Sequence, residues 1–376
     1  MILTEEQEMI RATARDFSRA YLAPHAAEWE RTSTFPRQAL REMGKLGLMG
    51  MTVPPEWGGV GTDYVAYALA LEEIAAGDGA TSTVMSGHNS VGCMPILDYG
   101  TVEQKERYLR PLASGEKLCA FCLTEPHSGS DASAMKSRAE LRGDRYVLNG
   151  TKQFITTGKN ADVALVFALT GKPGKRGISA FIVETTWPGY RVGRVERKMG
   201  QNASDTCEIH FDALEIPVEN RLGAEGEGYR IALANLEGGR IGIAAQSVGM
   251  ARAAYELALA YAREREAFGK PIIGHQAVSF RLAEMATRIE ASRQLVLHAA
   301  ALRSAGRPCL VEASMAKLFA SEMAELVCSD AIQTFGGNGY IEDYGVERIF
   351  RAVRVAKIYE GSNDIQRLVI GRSLGG

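Results

Sequence analysis

With 376 residues the chain is too long for one ordinary hydrophobic core, and two to three domains are expected. Hydrophobic residues at 46% and charged residues at 23% are those of a globular protein, which excludes a disordered or collagen-like chain. Lys plus Arg total 43 against 45 Asp plus Glu, a formal charge of -2, so no global field exists to hold a polyanion and nucleic acid is not an expected partner.

No apolar run approaches the ~18 residues needed to cross a bilayer, so no membrane partner is expected. The first twenty residues carry Glu5, Glu6, Glu8 and Asp16 instead of a cationic start and an apolar stretch. Cytoplasmic residence follows as the expectation, with a mature mitochondrial matrix form as the other compartment. Cys93, Cys119, Cys122, Cys207, Cys309 and Cys328 are too dilute for a disulfide scaffold and are read as thiols.

Residues 1–115 read as helices punctuated by Pro and Gly. Thr4 followed by Gln7 is a capping-box start, and Ile10, Ala14 and Phe17 then recur at helical spacing. After the loop around Pro54, Pro55, Gly58, Gly59 and Gly61, helices are expected over Val65–Ala76 and Ser82–Leu97. Residues 116–220 change texture and form a small β domain. Its expected strands are Arg145–Leu148, Lys152–Thr156, Val163–Leu169, Ile178–Glu184 and Glu208–Ile216, with Asn149-Gly150 as a hairpin turn. From 221 to 376 the helical period returns. Val278, Leu282, Met285, Ile289 and Val296 share one stripe, and loops such as Gly269–Gly274 and Ser304–Pro308 join long Ala-rich helices into a bundle.

The chemistry narrows by exclusion. No GxGxxG follows a strand, no Walker loop is present, and no HExxH or paired CxxC set offers a metal site. The lone Cys119-Ala-Phe-Cys122 lies where a strand would point its two thiols to opposite faces, so packing explains it. Ser86-Gly87-His88-Asn89-Ser90-Val91-Gly92 superficially resembles a nucleophile elbow but carries one residue too many and sits in helical periodicity, which leaves a serine hydrolase as a remote alternative.

Two segments ask for more than packing. Cys122-Leu-Thr-Glu-Pro-His-Ser-Gly-Ser-Asp131 ends a strand in small hydroxyl and glycine residues that let backbone N–H groups approach a phosphate or a heterocycle edge; the bland alternative is an Asx-rich turn. Gln333-Thr-Phe-Gly-Gly-Asn-Gly-Tyr340 and Ile358-Tyr-Glu-Gly-Ser-Asn-Asp364 interrupt helical surroundings, and Glu360 either projects into a cleft or caps the following helix.

In chain order, Thr124-Glu125-Pro126…Gly129-Ser130-Asp131, Met199-Gly200-Gln201…Ser204-Asp205-Thr206, Arg265-Glu266-Ala267-Phe268-Gly269, His275-Gln276, Gln333…Gly336-Gly337 and Tyr359-Glu360-Gly361 resemble the acyl-CoA dehydrogenase family over essentially the whole chain. Gly239-Arg240-Ile241-Gly242 and Ile365-Gln-Arg-Leu-Val-Ile370 resemble its short-chain members. The resemblance implies an α+β, mostly α fold: an N-terminal helical domain (1–115), a central small β domain (116–220) and a C-terminal four-helix bundle (221–376). It further implies a homotetramer with one FAD per subunit.

By the same resemblance, Phe121, Leu123, Thr124, Gly129 and Ser130, with Phe154, Ile155 and Thr156, would hold the flavin ring, and Ser130 would also meet substrate. Arg265, Ala267, Phe268, His275 and Gln276 would bind the dinucleotide end, partly across a subunit interface, together with Gln333 and Gly337. Ser362, Asn363 and Asp364 match further flavin contacts. Glu360 matches the base that removes the α-proton of an acyl thioester, flanked by Tyr359 and Gly361 on the substrate. Glu237, Arg240 and Arg372 match contacts to the CoA portion; Arg240 and Arg372 read alternatively as surface cations. Gly239 stands where some relatives carry an alternative catalytic Glu.

Three departures stand out: Phe154 where Trp is frequent, Ala352 where Asp is usual after Arg351, and Lys357 in place of a frequent acidic residue. The activity implied is FAD-dependent α,β-dehydrogenation of a short-chain or branched acyl-CoA, with electrons passed to an electron-transferring flavoprotein. A same-fold acyl-CoA oxidase or desulfinase and a non-catalytic helical scaffold are the alternatives. No metal is expected.

Overall fold

The computed structural model describes residues 1–375. Helices come first: α1 (Glu5–Phe17), α2 (Tyr64–Gly77) and α3 (Gly79–Gly87), with shorter turns between them. The Thr4 side chain accepts from the Gln7 N–H while the Gln7 side chain accepts from the Thr4 N–H, so the expected capping box is formed. Asp63 and Asp78 cap α2 and α3 by accepting from the Ala66 and Thr81 N–H groups. The expected Ser82–Leu97 helix is instead three pieces, because α3 runs into a π-helical turn over His88–Cys93 before the helix Met94–Tyr99. His88 is held inside that turn by Leu112 O and the Cys119 N–H, and burial pulls its pKa down to about 4. Nothing in the Ser86–Gly92 run forms a strand-to-helix elbow.

The middle of the chain is an eight-stranded sheet made of β1 (Cys119–Cys122), β2 (Arg138–Arg142), β3 (Arg145–Thr156), β4 (Val163–Leu169), β5 (Ile178–Glu184), β6 (Tyr190–Val195), β7 (Thr206–Pro217) and β8 (Arg221–Leu222). Its order is β6-β7-β3-β2-β4-β5-β8, and β1 pairs in parallel with β4. Strand β4 is buried along its length because both of its faces are covered. Val163, Leu165, Phe167 and Leu169 enter a core shared with Ile96, Leu109 and Leu112, whereas Ala164, Val166 and Ala168 pack with Leu148, Ile209 and Leu214. Cys119 and Cys122 join these two different cores, as alternation along β1 requires.

Asn149-Gly150 is not a hairpin turn. One strand, β3, runs through it, with a register shift against β7 between Leu148 and Gly150. Gly150 adopts φ +151 against Ser137, and Asn149 Oδ1 accepts from the Ala213 N–H at 2.8 Å. The dipeptide that signals a type I′ turn therefore builds a β-bulge, and the tight turn lies at Gly143, φ +62, between β2 and β3.

The last section is α4 (Leu236–Glu264), α5 (Gln276–Ser304), α6 (Leu310–Phe335), a helix over Val346–Val353 and α7 (Asn363–Leu374). Leu282, Met285, Ile289 and Val296 are buried on α5 as their spacing requires. One continuous core unites α1 and α2 with α4, α5 and α6, so these N-terminal helices lie against the bundle, while one face of the sheet shares a second core with the Val53–Ala113 region and the other face has a core of its own. All six cysteines are free and buried. Among the described residues no helix is long and apolar enough to cross a membrane, and no group of three or more His, Cys, Asp or Glu is placed to hold a metal ion.

Candidate active site

Glu360 lies in the bend between the Val346–Val353 helix and α7. Its φ is +53, and Gly361 follows at +85, so two consecutive residues take the left-handed conformation. A non-glycine residue holds that conformation only where its surroundings over-determine it. Here Gln366 Nε2 donates to the carbonyls of Glu360 and Gly361 at 3.3 and 2.8 Å, and Lys317 Nζ donates to the Gly361 carbonyl at 2.9 Å. Ser362, not Glu360, caps α7, since its hydroxyl accepts from the Ile365 N–H.

The turn aims the Glu360 carboxyl at the first turns of α4. A Cβ on Gly239 would stand 2.8 Å from its Oε2. Glycine there leaves the carboxyl room that any side chain would take. Among the described residues the carboxyl forms no ion pair, and the Glu360 backbone N–H has no hydrogen-bond partner. Burial raises the pKa of Glu360, opposed by the charges of Arg240 and Lys317.

Arg240 is not a surface cation. It is 5% exposed, bonds Ser314 Oγ at 3.2 Å, leaves its Nε without a partner, and has its own pKa lowered by burial. Glu237, one turn earlier on α4, pairs with Arg303 at 3.0 Å, and Arg303 lies over the ring of Tyr64. Arg372, at the far end of α7, is exposed.

Beyond the carboxyl the α4 face closes. At Gly242 an added Cβ would meet Ser86 Oγ at 2.5 Å and Tyr67 OH at 2.8 Å. One turn further, Gln246 Oε1 accepts from Tyr359 OH, while Gln246 Nε2 donates to Thr83 Oγ1 at 2.6 Å and to Ser82 Oγ at 2.8 Å. Thr83 in turn donates to Gln201 Oε1 at 2.6 Å, and Gln201 Nε2 donates to Ala352 O. Burial pushes Tyr359 up to about 12. Asn89 and Cys93 face the Leu48–Met51 segment: Asn89 bonds Met51 N and Leu48 O, and Cys93 contacts Met49 O.

The sheet supplies a second set of residues. Glu125, buried, accepts from Lys136 N, Ser137 N and Lys152 Nζ, the last at 2.8 Å, and so pins the loop that carries Thr124, Gly129 and Ser130. Burial works to raise its pKa, but Lys152 and these donors win and hold it low. Gln153 N donates to Thr124 O, tying that loop to β3. A register shift between Lys152 and Ile155 throws Phe154 out of β3 at φ +57 and 59% exposure, next to buried Ile155 and half-buried Thr156. Phe121 and Leu123 are half-buried at the end of β1, and Gly129 and Ser130 are exposed.

A third set lies at the opposite end of α4. Arg265, Ala267, Phe268, His275 and Gln276 lie on or beside a two-stranded hairpin, Glu266–Ala267 with Lys270–Pro271, where Phe268 meets His275 edge to face and His275 Nε2 bonds Ala267 O. Gln333 and Gly337 adjoin it through the stack of Tyr261 on Phe335. At 1.5 Å per residue, Gly239 and Arg265 stand about 39 Å apart along α4. Asn363 points away from solvent, its Oδ1 accepting from Lys317 and Ser321, while Asp364 is exposed and reaches Arg367. Lys152 and Lys317 were not legible as site residues in the sequence, since both sit within runs of ordinary strand and helix pattern.

Family models for the N-terminal, middle and C-terminal domains of acyl-CoA dehydrogenase match residues 4–116, 120–214 and 226–375. An acyl-CoA dehydrogenase of Bacillus subtilis (strain 168) is 52% identical, covering 100% of both chains. The solved structure of butyryl-CoA dehydrogenase from Megasphaera elsdenii superposes with a TM-score of 0.98 at 42% identity, covering 100% of both chains. A chain solved in work on the electron-transferring flavoprotein of Acidaminococcus fermentans gives 0.98 at 47% identity, covering 100% of this chain and 99% of that one. The chain belongs to the acyl-CoA dehydrogenase family, is an enzyme of that class, and uses FAD.

The residues fit that cofactor. Gly336 and Gly337 have open space where a Cβ would stand, Gly129 leaves the β1 loop open to close approach, and Phe154 is turned outward beside Thr156.

Proposed function

We propose that this enzyme removes the α-proton and β-hydrogen of a short-chain acyl-CoA to give the 2-enoyl-CoA, with Glu360 as the base. The observation that carries this reading is the Glu360 carboxyl set against the bare α-carbon of Gly239, without an ion-pair partner, next to its own free N–H. A carboxylate with no counter-ion in contact keeps its basicity, and an unpaired N–H is a ready donor to a thioester oxygen that gains charge as the proton leaves. Bound FAD would supply the acceptor for the β-hydrogen as hydride. Thr124, Gly129, Ser130, Phe154, Ile155 and Thr156 would hold its ring. Arg240 stabilises negative charge in the same cleft.

Short chain length is supported by the closure at Gly242 and Gln246. From Gly239 to Gly242 is about 4.5 Å of helix, room for only a few carbons beyond the thioester before the Ser86, Tyr67 and Gln246 groups. Lengthening the chain would break the Gln246 network and leave buried polar groups unpaired. Electron transfer to an electron-transferring flavoprotein is the proposed exit, supported by the similarity to a chain studied with one.

A homotetramer is proposed on two grounds. The cofactor positions near Arg265 lie too far along α4 from Glu360 for one dinucleotide of the same chain to join them. Phe268 at 96%, Tyr340 at 86% and Phe280 at 58% exposure also leave large apolar groups bare at that end of the bundle. The test of the function is a panel of acyl-CoA thioesters added anaerobically to the oxidised protein. Bleaching of the flavin by butyryl-CoA, falling off with longer chains, is expected. No bleaching by any member would remove the reading, and turnover with oxygen alone would favour an oxidase. FAD should leave intact on mild denaturation, and a monodisperse monomer retaining FAD would contradict the assembly.

A further inference from the structure

Lys317 has no exposure, sits in the middle of α6, and among the described residues forms no ion pair. An ammonium buried in this way is expensive, and a methionine would fill the same length without the charge. Two of its three N–H groups are instead used on the active-site turn: one on the Gly361 carbonyl at 2.9 Å and one on Asn363 Oδ1 at 3.0 Å. Asn363 is fixed in turn by Ser321, at 3.2 Å. The Gly361 carbonyl thus receives two donors, Lys317 and Gln366, directly behind a residue pair held left-handed.

The charges facing this centre come from several elements. Arg240 approaches from α4 with Glu237 beyond it, and the phenols of Tyr67 and Tyr359 flank Glu360 from α2 and from the bend itself. Glu322 on α6 touches Asn363 from the outer side and is paired with Arg367. Lys317 and Arg240 are the two cations that act on Glu360, neither in contact with it. Burial pulls Lys317 down to about 7, against the charge of Glu360.

We propose that Lys317 is a positioning residue for proton abstraction: it clamps the Glu360–Gly361 turn from behind and supplies positive field that keeps the Glu360 carboxyl ionised before the proton is taken. The proposal rests on Glu360 being the base. Arg240 alone would leave the carboxyl protonated to a higher pH, and Gln366 alone would hold the turn without favouring charge.

The experiment compares FAD-loaded wild type, Lys317→Met and Gln366→Leu through pH profiles of kcat/KM with butyryl-CoA. Lys317→Met is expected to move the acidic limb up by about one pH unit or more, with much of the lost rate recovered toward high pH. Gln366→Leu should lower kcat with the limb in place. A second readout needs no turnover. The stability difference between Glu360→Gln and its parent, followed against pH, should be larger and reach its plateau at higher pH in the Lys317→Met background. Should Lys317→Met fail to fold, Lys317→Gln, which keeps a donor and drops the charge, decides the same two comparisons.

An unmoved limb and an unmoved plateau, with only a loss of FAD or of melting temperature, would overturn the proposal; so would an equal limb shift in Gln366→Leu. A wild type inert to every thioester would sink the assigned reaction, while the stability comparison would still decide the role of Lys317.

Discussion

Two of the clusters of buried acids and bases in this molecule are built in opposite ways. Under α1, Glu72 and Glu73 are both nearly buried and meet their cations directly: Arg293 and Arg252 at 2.7 and 3.1 Å from Glu72, Arg252 and Arg15 at 2.5 and 2.7 Å from Glu73. At the bend before α7, Glu360 has Arg240 and Lys317 nearby and touches neither. Although burial works to raise the pKa of Glu73, Arg15 and Arg252 hold it low, whereas burial wins at Glu360 and raises it. The first arrangement ties α1 to α2 and α4, joining the N-terminal helices to the bundle. The second leaves a carboxyl free to take a proton. Contact with a cation is what separates the two acids: Glu73 is held as an anion, and Glu360 is not.

The sharpest way to break this contrast is Glu360→Gln. The amide is nearly the same size and leaves the backbone N–H untouched, so FAD should stay bound while turnover falls roughly 10²–10⁴-fold or more. Unimpaired turnover would remove Glu360 from the mechanism. Glu73→Leu should do the reverse, costing about 3 kcal/mol in denaturant unfolding because Arg15 and Arg252 lose their partner, with the flavin reaction little changed in whatever protein remains folded. A loss below ~1 kcal/mol would class this network with weak surface pairs.

Placing a carboxylate on the neighbouring helix sharpens the comparison from the other side. Gly239→Glu added to Glu360→Gln should restore part of the rate, because the two positions face each other, and incompletely, since ~1 Å of misplacement can cost ~10²-fold. A double variant that binds substrate and recovers nothing would show that position 239 does not reach the α-carbon. Gly239→Ala alone must push the Glu360 carboxyl aside by about 0.5 Å to restore ordinary contact. A roughly tenfold loss of turnover is expected, in a protein as stable as its parent or more so by up to about 1 kcal/mol, from the helix preference of alanine. Unchanged turnover would mean the carboxyl has room to spare.

The smallest effect is one of sign. The folded pKa of Glu73 lies below its unfolded value, so its contribution is present above the unfolded carboxylate range near ~4.3 and is lost as pH falls through the folded value. Glu360 is raised, so its contribution is full below that range and is lost as pH rises through the folded value. Glu360→Gln should therefore match wild type in stability at low pH and exceed it near neutrality. A gain that shrinks as pH rises would mean the Glu360 carboxyl is stabilised as an anion.

Local signals carried much of this. The Thr4–Gln7 box, the α5 stripe from Leu282 to Val296 and the opposite facing of Cys119 and Cys122 depend on neighbours within a few residues, and all are present in the structure. Asn149-Gly150 shows where such signals stop, because a positive-φ dipeptide suits a hairpin and a bulge equally and only the pairing of β3 with β7 chooses between them. Likewise the motif around Tyr359-Glu360-Gly361 pointed to a base. That Glu360 faces Gly239 and that Arg240 is buried and not a surface cation were decided by packing.

The sequence by itself determined the order of helices, sheet and bundle, because periodicity and side-chain chemistry are properties of short stretches. Only the tertiary structure decided which charges are paired. Lys317 and Glu72 occupy similar apolar helical surroundings in the sequence, yet one is met by carbonyl and amide oxygens and the other by guanidinium groups from two other helices. Desolvation and counter-ions set a group's protonation, and both are supplied by segments far away in the chain.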